Sequence, residues 1–207
     1  QEQREYAQER GDLLDSHVRG RDFRTLLDIG GSTGVVAHAL AQRFKLSATV
    51  VDPAPRETAE ANALGIETIE GLVETVDFGD RCFDVVLLCQ TVDHLLDIGS
   101  TLRRVRRLMA SKGLLFVDIV DFRAAYLRNW SIEESVKVDH PYYLTESTMV
   151  GYLRQAVFDV VRTDFATDHL HVSYVALPSE PGTVVPRADE VRALWREIRF
   201  VQNAPRT

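Results

Sequence analysis

The feature that most constrains this chain is a regular alternation of short apolar runs with segments of helical periodicity. The apolar runs predict five strands, at residues 25–30, 48–52, 66–71, 83–90 and 113–120. The intervening segments 35–44, 56–65 and 101–110 predict helices, and Ser100 is the expected cap of the last one. Strands that alternate with helices lie parallel in one sheet, with helices on both of its faces. We therefore predict an α/β fold of three layers, doubly wound around a mostly parallel sheet.

The two ends of the chain add further elements to this sheet. Two apolar runs at residues 158–165 and 169–178 are separated by a short loop, which predicts a C-terminal antiparallel strand pair. The sheet would then have seven strands. Other patterns predict an N-terminal helix within residues 1–20, an insertion on the substrate side over residues 122–145, a helix at residues 146–156 and a C-terminal helix within residues 186–202. We expect a single domain over residues 1–207.

Charge and composition exclude several kinds of partner. The 207 residues carry a formal net charge of -7, which disfavours nucleic acid and an anionic membrane surface. No apolar run reaches the length of about eighteen residues that a membrane-spanning helix needs, and the polar N-terminus is unlike a signal peptide. Cys82 and Cys89 form no CxxC pair, so we expect two buried thiols in a reducing compartment. We therefore predict a cytoplasmic protein that binds neither nucleic acid nor membranes.

A glycine-rich turn follows the first predicted strand, and a predicted helix follows the turn at once. The turn contains Gly30, Gly31 and Gly34, and glycine lets the backbone adopt positive φ and approach a ligand closely. A helix N-terminus directs backbone N–H groups at the same place. Asp52 ends the next predicted strand, where nucleotide-binding sheets carry an acid that accepts hydrogen bonds from ribose hydroxyls. The two features together predict a site for a ligand that contains a nucleoside.

The residues around the turn distinguish between kinds of nucleotide. The nicotinamide fingerprint requires glycine at the positions of Ser32 and Val35, and the lysine of a P-loop is also missing. Asp28 lies just before the turn, where its carboxylate would repel a pyrophosphate. The same carboxylate can accept hydrogen bonds from the cationic end of an amino acid. We therefore predict a sulfonium amino acid in this site rather than a dinucleotide.

The segment Asp28-x-Gly30-x-Ser32-x-Gly34 resembles the first motif of class I S-adenosylmethionine-dependent methyltransferases, and the resemblance extends over residues 25–177. That family usually has glycine in place of Ser32 and aspartate in place of Leu72, so recognition of the adenine amino group would use the backbone or another side chain. The resemblance implies S-adenosyl-L-methionine as the cofactor. The residues that it assigns to this cofactor are Asp28, Gly30, Gly31, Ser32, Gly34, Asp52, Pro53, Gly71, Leu72, Val73, Gln90 and Thr91.

Methyl transfer to a hydroxyl needs a group that takes up a proton, and histidine suits that role near neutral pH. The candidates are His94, which follows the fourth predicted strand, and His140, which lies in the insertion. The insertion also carries Tyr126, Trp130, Tyr142 and Tyr143, which we expect to form either a lid over the substrate or a cover for the sheet. His169 and His171 would share one strand face without a third ligand, so we predict no metal site.

These patterns and the resemblance lead to one main function and two alternatives. The main one is methyl transfer to a hydroxyl, or an amine, of a small molecule or a glycan. The second is a subunit that binds S-adenosylmethionine, or a partner protein, without catalysis. The third is a nucleotide-linked oxidoreductase, which Asp28 and the glycine spacing disfavour. The final predicted helix carries Trp195 and Phe200, and we expect it either to cap the domain or to contact a second copy in a homodimer.

Overall fold

The structure, a computed structural model, describes residues 2–180 together with Arg192 and Arg196. The helices are α1 (Glu2–Val18), α2 (Val35–Phe44), α3 (Pro55–Ala63), α4 (Ile98–Leu108), α5 (Phe122–Asn129) and α6 (Glu146–Gln155), with a short 3-10 turn at Val92–His94. The strands are β1 (Thr25–Ile29), β2 (Ser47–Asp52), β3 (Glu67–Glu70), β4 (Phe83–Cys89), β5 (Met109–Val120), β6 (Phe158–Phe165) and β7 (His171–Pro178). The predicted C-terminal helix lies outside the described residues, apart from Arg192 and Arg196, and stays a prediction.

The seven strands form one sheet in the order β3-β2-β1-β4-β5-β7-β6. Strands β1 to β5 are parallel, whereas β7 is antiparallel to both β5 and β6. The order reverses direction between β1 and β4, and ligands of doubly wound sheets bind at such a point, outside the carboxyl ends of the strands. The predicted fold, with its C-terminal antiparallel pair, is thus confirmed.

Alternate residues of the central strands face two separate apolar cores. In β1, Leu26 packs into the core beneath α1 and α2, and the next residue, Leu27, packs into the core beneath α4 and α6. Both leucines are fully buried, because a parallel strand with helices on both faces has no solvent side. The sheet is therefore the middle of three layers. Among the described residues, no helix is long and apolar enough to cross a membrane.

The start and the end of α4 differ from the prediction. The carboxylate of Asp97 accepts a hydrogen bond from the backbone N–H of Ser100 at 2.8 Å, so Asp97 is the cap and Ser100 lies inside the helix. The helix begins at Ile98 because this side chain is buried in the core. It ends at Leu108, and β5 already begins at Met109. Helix propensity extended the prediction beyond that point, and the pairing of Met109 with β4 overrides it.

Two smaller predictions about individual side chains are also wrong. Cys82 is exposed and Cys89 is partly buried, so they are not both core residues, although both are free thiols. His169 lies in the turn before β7 with φ 57° and does not share a strand face with His171.

Candidate functional site

The glycine-rich turn after β1 is packed so closely that side chains are excluded at two positions. A Cβ on Gly30 would lie 2.5 Å from Cγ2 of Thr91, and one on Gly34 would lie 2.8 Å from Cβ of Ala61. Both glycines also have positive φ, 67° and 74°, which disfavours other residues. The turn therefore holds its backbone against the ends of β4 and α3, at the edge of the sheet where the strand order reverses.

Ser32 takes the place of a glycine in this turn and still adopts positive φ, at 49°. Two hydrogen bonds hold it there. Its backbone N–H donates to Oδ2 of Asp52 at 3.0 Å, and its hydroxyl donates to Oε2 of Glu57 at 2.5 Å. Left-handed backbone costs a non-glycine residue about 1–2 kcal/mol, and these bonds offset that cost. Serine in place of glycine at this position therefore leaves the shape of the turn intact.

Asp28, the acid before the turn, is buried without a partner. Its residue is 1% exposed, and neither carboxylate oxygen has a hydrogen-bond partner among the described residues. A Cβ on Gly31 would lie 2.9 Å from its carboxyl carbon, so the turn closes directly over it. Burial raises the pKa of Asp28 to about 7, although the nearby charge of Arg10 opposes this shift. A buried carboxylate without donors is unfavourable, and a ligand that brings positive charge or N–H groups would relieve it.

Asp52 lies at the end of β2, on the neighbouring strand. Its residue is 8% exposed, and its Oδ1 accepts a hydrogen bond from the N–H of Ala54 at 2.9 Å, while Oδ2 accepts the one from Ser32. Each oxygen retains a second lone pair, so the carboxylate can also accept hydrogen bonds from a vicinal diol. Pro53, which follows it, is exposed.

The loop after β3 lies beside Asp52, since the N–H of Gly71 donates to the carbonyl of Asp52 at 3.0 Å. The two following residues point in different directions. Leu72 is 39% exposed, whereas Val73 is 4% exposed and packs in the core. The side chain of Val73 is therefore directed away from solvent, and Leu72 is the apolar side chain that this loop presents at its surface.

A buried ion pair that the sequence did not reveal connects α1 with the site. Nε of Arg10 donates to Oδ2 of Asp118 at 2.8 Å, and the two residues are 7% and 3% exposed. The other oxygen of Asp118 accepts a hydrogen bond from the backbone N–H of Gln90. Burial raises the pKa of Asp118, against the opposing charge of Arg10. The pair fixes α1 above the ends of β4 and β5. The one feature of the sequence that could have indicated this ion pair is the aspartate, Asp118, inside the apolar run 113–120.

A cleft opens beside this ion pair, between α1 and the hairpin formed by β6 and β7. Its volume is about 590 Å³, within the usual range for small-molecule sites. Its lining includes Tyr6, Arg10, Gln90, Asp118, Phe165 and His171. Nδ1 of His171 lies 2.5 Å from Oδ2 of Asp168, and this short-range pair closes the hairpin turn.

The structure brings together the two histidines that the sequence singled out. The rings of His94 and His140 meet edge to face, with centroids 4.4 Å apart. Asp93 contacts His140, with Oδ2 2.8 Å from Nδ1, and both of these side chains are 13% exposed. No sequence pattern pairs Asp93 with His140, because the contact depends on how the insertion folds back over the 3-10 turn.

The insertion is fastened to the segment that carries these residues. The hydroxyl of Tyr142 donates to the carbonyl of Leu96 at 2.9 Å. Two other aromatic residues of the insertion have different surroundings. Tyr126 is 1% exposed and lies in the core, whereas Trp130 is 61% exposed. A cavity of about 40 Å³ beneath the insertion, lined in part by Phe122 and His140, has room for water but not for a substrate. Whether the insertion acts as a lid over a substrate or as a cover for the sheet stays a prediction.

Comparisons with known proteins show the family and the fold of this chain. A family model described as "Methyltransferase domain" matches residues 1–163. A ubiquinone biosynthesis O-methyltransferase of Azorhizobium caulinodans is 32% identical over 125 residues, which are 53% of this chain and 48% of that protein. The chain thus spans about half the length of the curated relatives that it matches.

Two solved structures share the fold. Magnesium protoporphyrin IX methyltransferase from Synechocystis PCC 6803, with bound SAH, superimposes with a TM-score of 0.69 at 13% identity and covers 84% of this chain and 83% of its own. An S-adenosylmethionine-dependent methyltransferase from Clostridium acetobutylicum superimposes with a TM-score of 0.67 at 12% sequence identity. The match covers 82% of this chain and 91% of that protein.

Proposed function

This chain belongs to the methyltransferase domain family, and from that premise we propose that it transfers the methyl group of S-adenosylmethionine to a hydroxyl, or an amine, of a small molecule or a sugar. One observation carries the proposal. The carboxylate of Asp28 is buried, lacks a partner among the described residues and lies directly under the glycine turn. A cationic ligand meets the need of this group, whereas a diphosphate would add a second negative charge.

The residues at the sheet edge fit S-adenosylmethionine at both of its ends. Asp28 would stabilise the positive charge of its amino-acid part, and the glycine turn, packed against Thr91 and Ala61 at Gly30 and Gly34, would present its backbone N–H groups to the ligand. Asp52 would accept hydrogen bonds from the ribose hydroxyls with its free lone pairs. When bound, this cofactor supplies a methyl group on a cationic sulfur, which a nucleophile can attack.

At the adenine end, the loop of Gly71, Leu72 and Val73 offers backbone groups and one apolar side chain. The exposed side chain of Leu72 provides a surface on which an adenine ring can pack, and it has no hydrogen-bonding group for the amino function. Pro53, which follows Asp52, is exposed. We therefore assign recognition of the adenine amino group to the backbone, with Gln90 and Thr91 at the opposite, methionine end.

The proton of an acceptor hydroxyl would be taken up by His140, with His94 beside it. A carboxylate can only accept hydrogen bonds, so the contact with Asp93 assigns the proton of a neutral His140 to Nδ1. Nε2 of His140 then has a free lone pair and can act as general base. A carboxylate that holds the other nitrogen also stabilises the imidazolium that forms.

The acceptor class follows from charge and from a relative. A net charge of -7 disfavours a nucleic acid as the acceptor. The relative from Azorhizobium caulinodans is named for ubiquinone biosynthesis, which is small-molecule chemistry. These observations together favour a small acceptor over a macromolecule.

Calorimetric titration with S-adenosylmethionine, S-adenosylhomocysteine and NADH tests the proposal. We expect both sulfur compounds to bind and NADH not to bind. Asp52→Ala should weaken the binding of both sulfur compounds, because it removes the carboxylate that accepts hydrogen bonds from the ribose. Asp159→Ala is the matched control, because Asp159 is an exposed aspartate on β6. Transfer of labelled methyl groups to a small-molecule extract then separates an enzyme from a subunit that binds the cofactor without catalysis. NADH binding, or equal effects of the two variants, would contradict the proposal.

A further inference from the structure

We propose that Asp93, His94 and His140 form a binding site for a single transition-metal ion such as Zn²⁺, and that the bound ion inhibits the methyl transfer proposed above. Each of the three residues offers one ligand atom, and these atoms all lie within 4.8 Å of one another. Within residues 2–180, no other group of three or more His, Cys, Asp or Glu side chains comes together in this way. The metal site is independent of the proposed methyl transfer, whereas its inhibitory effect rests on that proposed function.

The spacing suits a metal ion with little rearrangement. Zinc lies about 2.0–2.2 Å from imidazole nitrogen and carboxylate oxygen, so the ligand atoms of a tetrahedral site lie about 3.4 Å apart. Nδ1 of His140 and Oδ2 of Asp93 are 2.8 Å apart, which already approaches this spacing. His94 is exposed, and its side chain has the freedom to move the remaining distance.

The chemical character of the three ligands also fits. Two imidazoles and one carboxylate are a common ligand set for zinc, and they leave a fourth position for water or another ligand. With neutral histidines the group carries one negative charge, and Asp139 adds another, with Oδ1 4.0 Å from Nε2 of His140. Asp93 and His140 are largely buried, so solvent screens their attraction to a cation less than at an open surface.

A bound ion and the proposed base role of His140 exclude each other. With Nδ1 of His140 coordinated, the proton that this nitrogen carried moves through solvent to Nε2. Nε2 is then a hydrogen-bond donor and cannot take up the proton of an acceptor. Coordination also removes the carboxylate of Asp93 from the imidazole. Occupancy of the site should therefore stop the proton transfer while leaving the cofactor site at Asp28 and Asp52 unchanged.

Titration of the tag-free protein with ZnCl2, followed by calorimetry, tests the site, and the visible absorption of Co²⁺ reports its ligand geometry. We expect one saturable ion per chain. His94→Ala and His140→Ala should each weaken binding at least about tenfold, since each removes a ligand. His38→Ala, on α2, is the control. His94 is exposed, so its variant reports on binding even where His140→Ala disturbs the insertion.

The possible outcomes are distinct. Absence of saturable binding, or binding that both ligand variants leave unchanged, overturns the site. Zn²⁺ that binds and raises methyl transfer overturns the inhibitory role, whereas inhibition that EDTA reverses supports it. If Zn²⁺ binds at these residues and S-adenosylmethionine does not bind at all, the proposed function fails and the metal site stands.

Discussion

Arg10 of α1 and Asp118 of β5 form an ion pair in which both side chains are almost fully buried. Removal of one partner from such a pair leaves an uncompensated charge, which typically costs about 3–5 kcal/mol. We expect Arg10→Met to lower the free energy of unfolding by an amount in this range, as measured by urea denaturation. Arg24→Met is the control, because its pair with Asp22 is exposed and contributes little. Equal effects of the two variants would contradict a structural role of the buried pair.

The burial of Asp28 should appear in the pH dependence of stability. The pKa is raised to about 7 in the folded protein, well above its ordinary value of 3.8, so between these pH values the folded protein binds more protons than the unfolded one. Stability should therefore fall as pH rises from 4 to 7 and level off above 7. Each unit of pKa shift corresponds to about 1.4 kcal/mol. Urea denaturation of Asp28→Asn between pH 4 and pH 8 should no longer show this fall in stability. If the variant shows the same fall as the wild type, other groups cause it.

Gly30 should be required for the shape of the turn as well as for its positive φ. In Gly30→Ala, the new Cβ would lie 2.5 Å from Thr91, in addition to the cost of left-handed backbone. Gly65→Ala is a matched control, because Gly65 has φ 81° but no atom within 4 Å of the place that a methyl group would take. We expect Gly30→Ala to weaken S-adenosylmethionine binding by more than about tenfold, and Gly65→Ala to leave it unchanged. Similar binding by both variants would show that close packing at Thr91 is unimportant.

The proposed general base can be tested in the absence of added metal, with EDTA present. A positioned base contributes about 10²–10⁴-fold to the rate, so His140→Gln should lower kcat by that factor and leave the Kd of S-adenosylmethionine unchanged. Asp93→Asn should lower kcat less, because it removes the orienting carboxylate and keeps the base. His38→Gln, on α2 and outside the lining of the cleft, is the control histidine. A His140→Gln enzyme with wild-type kcat would exclude His140 as the base.

The sheet, and the edge of it at which the candidate cofactor residues meet, could be predicted from the sequence because both depend on local patterns. Gly30 and Gly34 lie in a strand–turn–helix segment, and Asp52 ends the adjacent strand, so topology alone brings them to one edge. The same reasoning positions His94, which follows β4. Here the number of residues between a strand end and a functional group is small, and the backbone geometry leaves few alternatives.

The tertiary pairs could not be predicted in this way. Arg10 and Asp118 are separated by 108 positions, and Asp93 contacts His140 only because the insertion folds back over the 3-10 turn. Such contacts depend on the packing of whole layers, and a sequence pattern of period 2 or 3.6 contains no information about them. The cap of α4 was missed for a related reason: Asp97 and Ser100 are both good cap residues, and the burial of Ile98 decides between them.

The central claim, that Asp28 faces the positive charge of S-adenosylmethionine, is tested most directly by calorimetric titration at pH 7 in two buffers of different ionisation enthalpy. Burial raises the pKa of this carboxyl to about 7 and the positive ligand lowers it again, so binding at this pH should release protons. Asp28→Asn should bind more weakly and lose that proton release. Binding that is independent of the buffer and equally tight in Asp28→Asn would contradict the claim, as would preferential binding of a diphosphate.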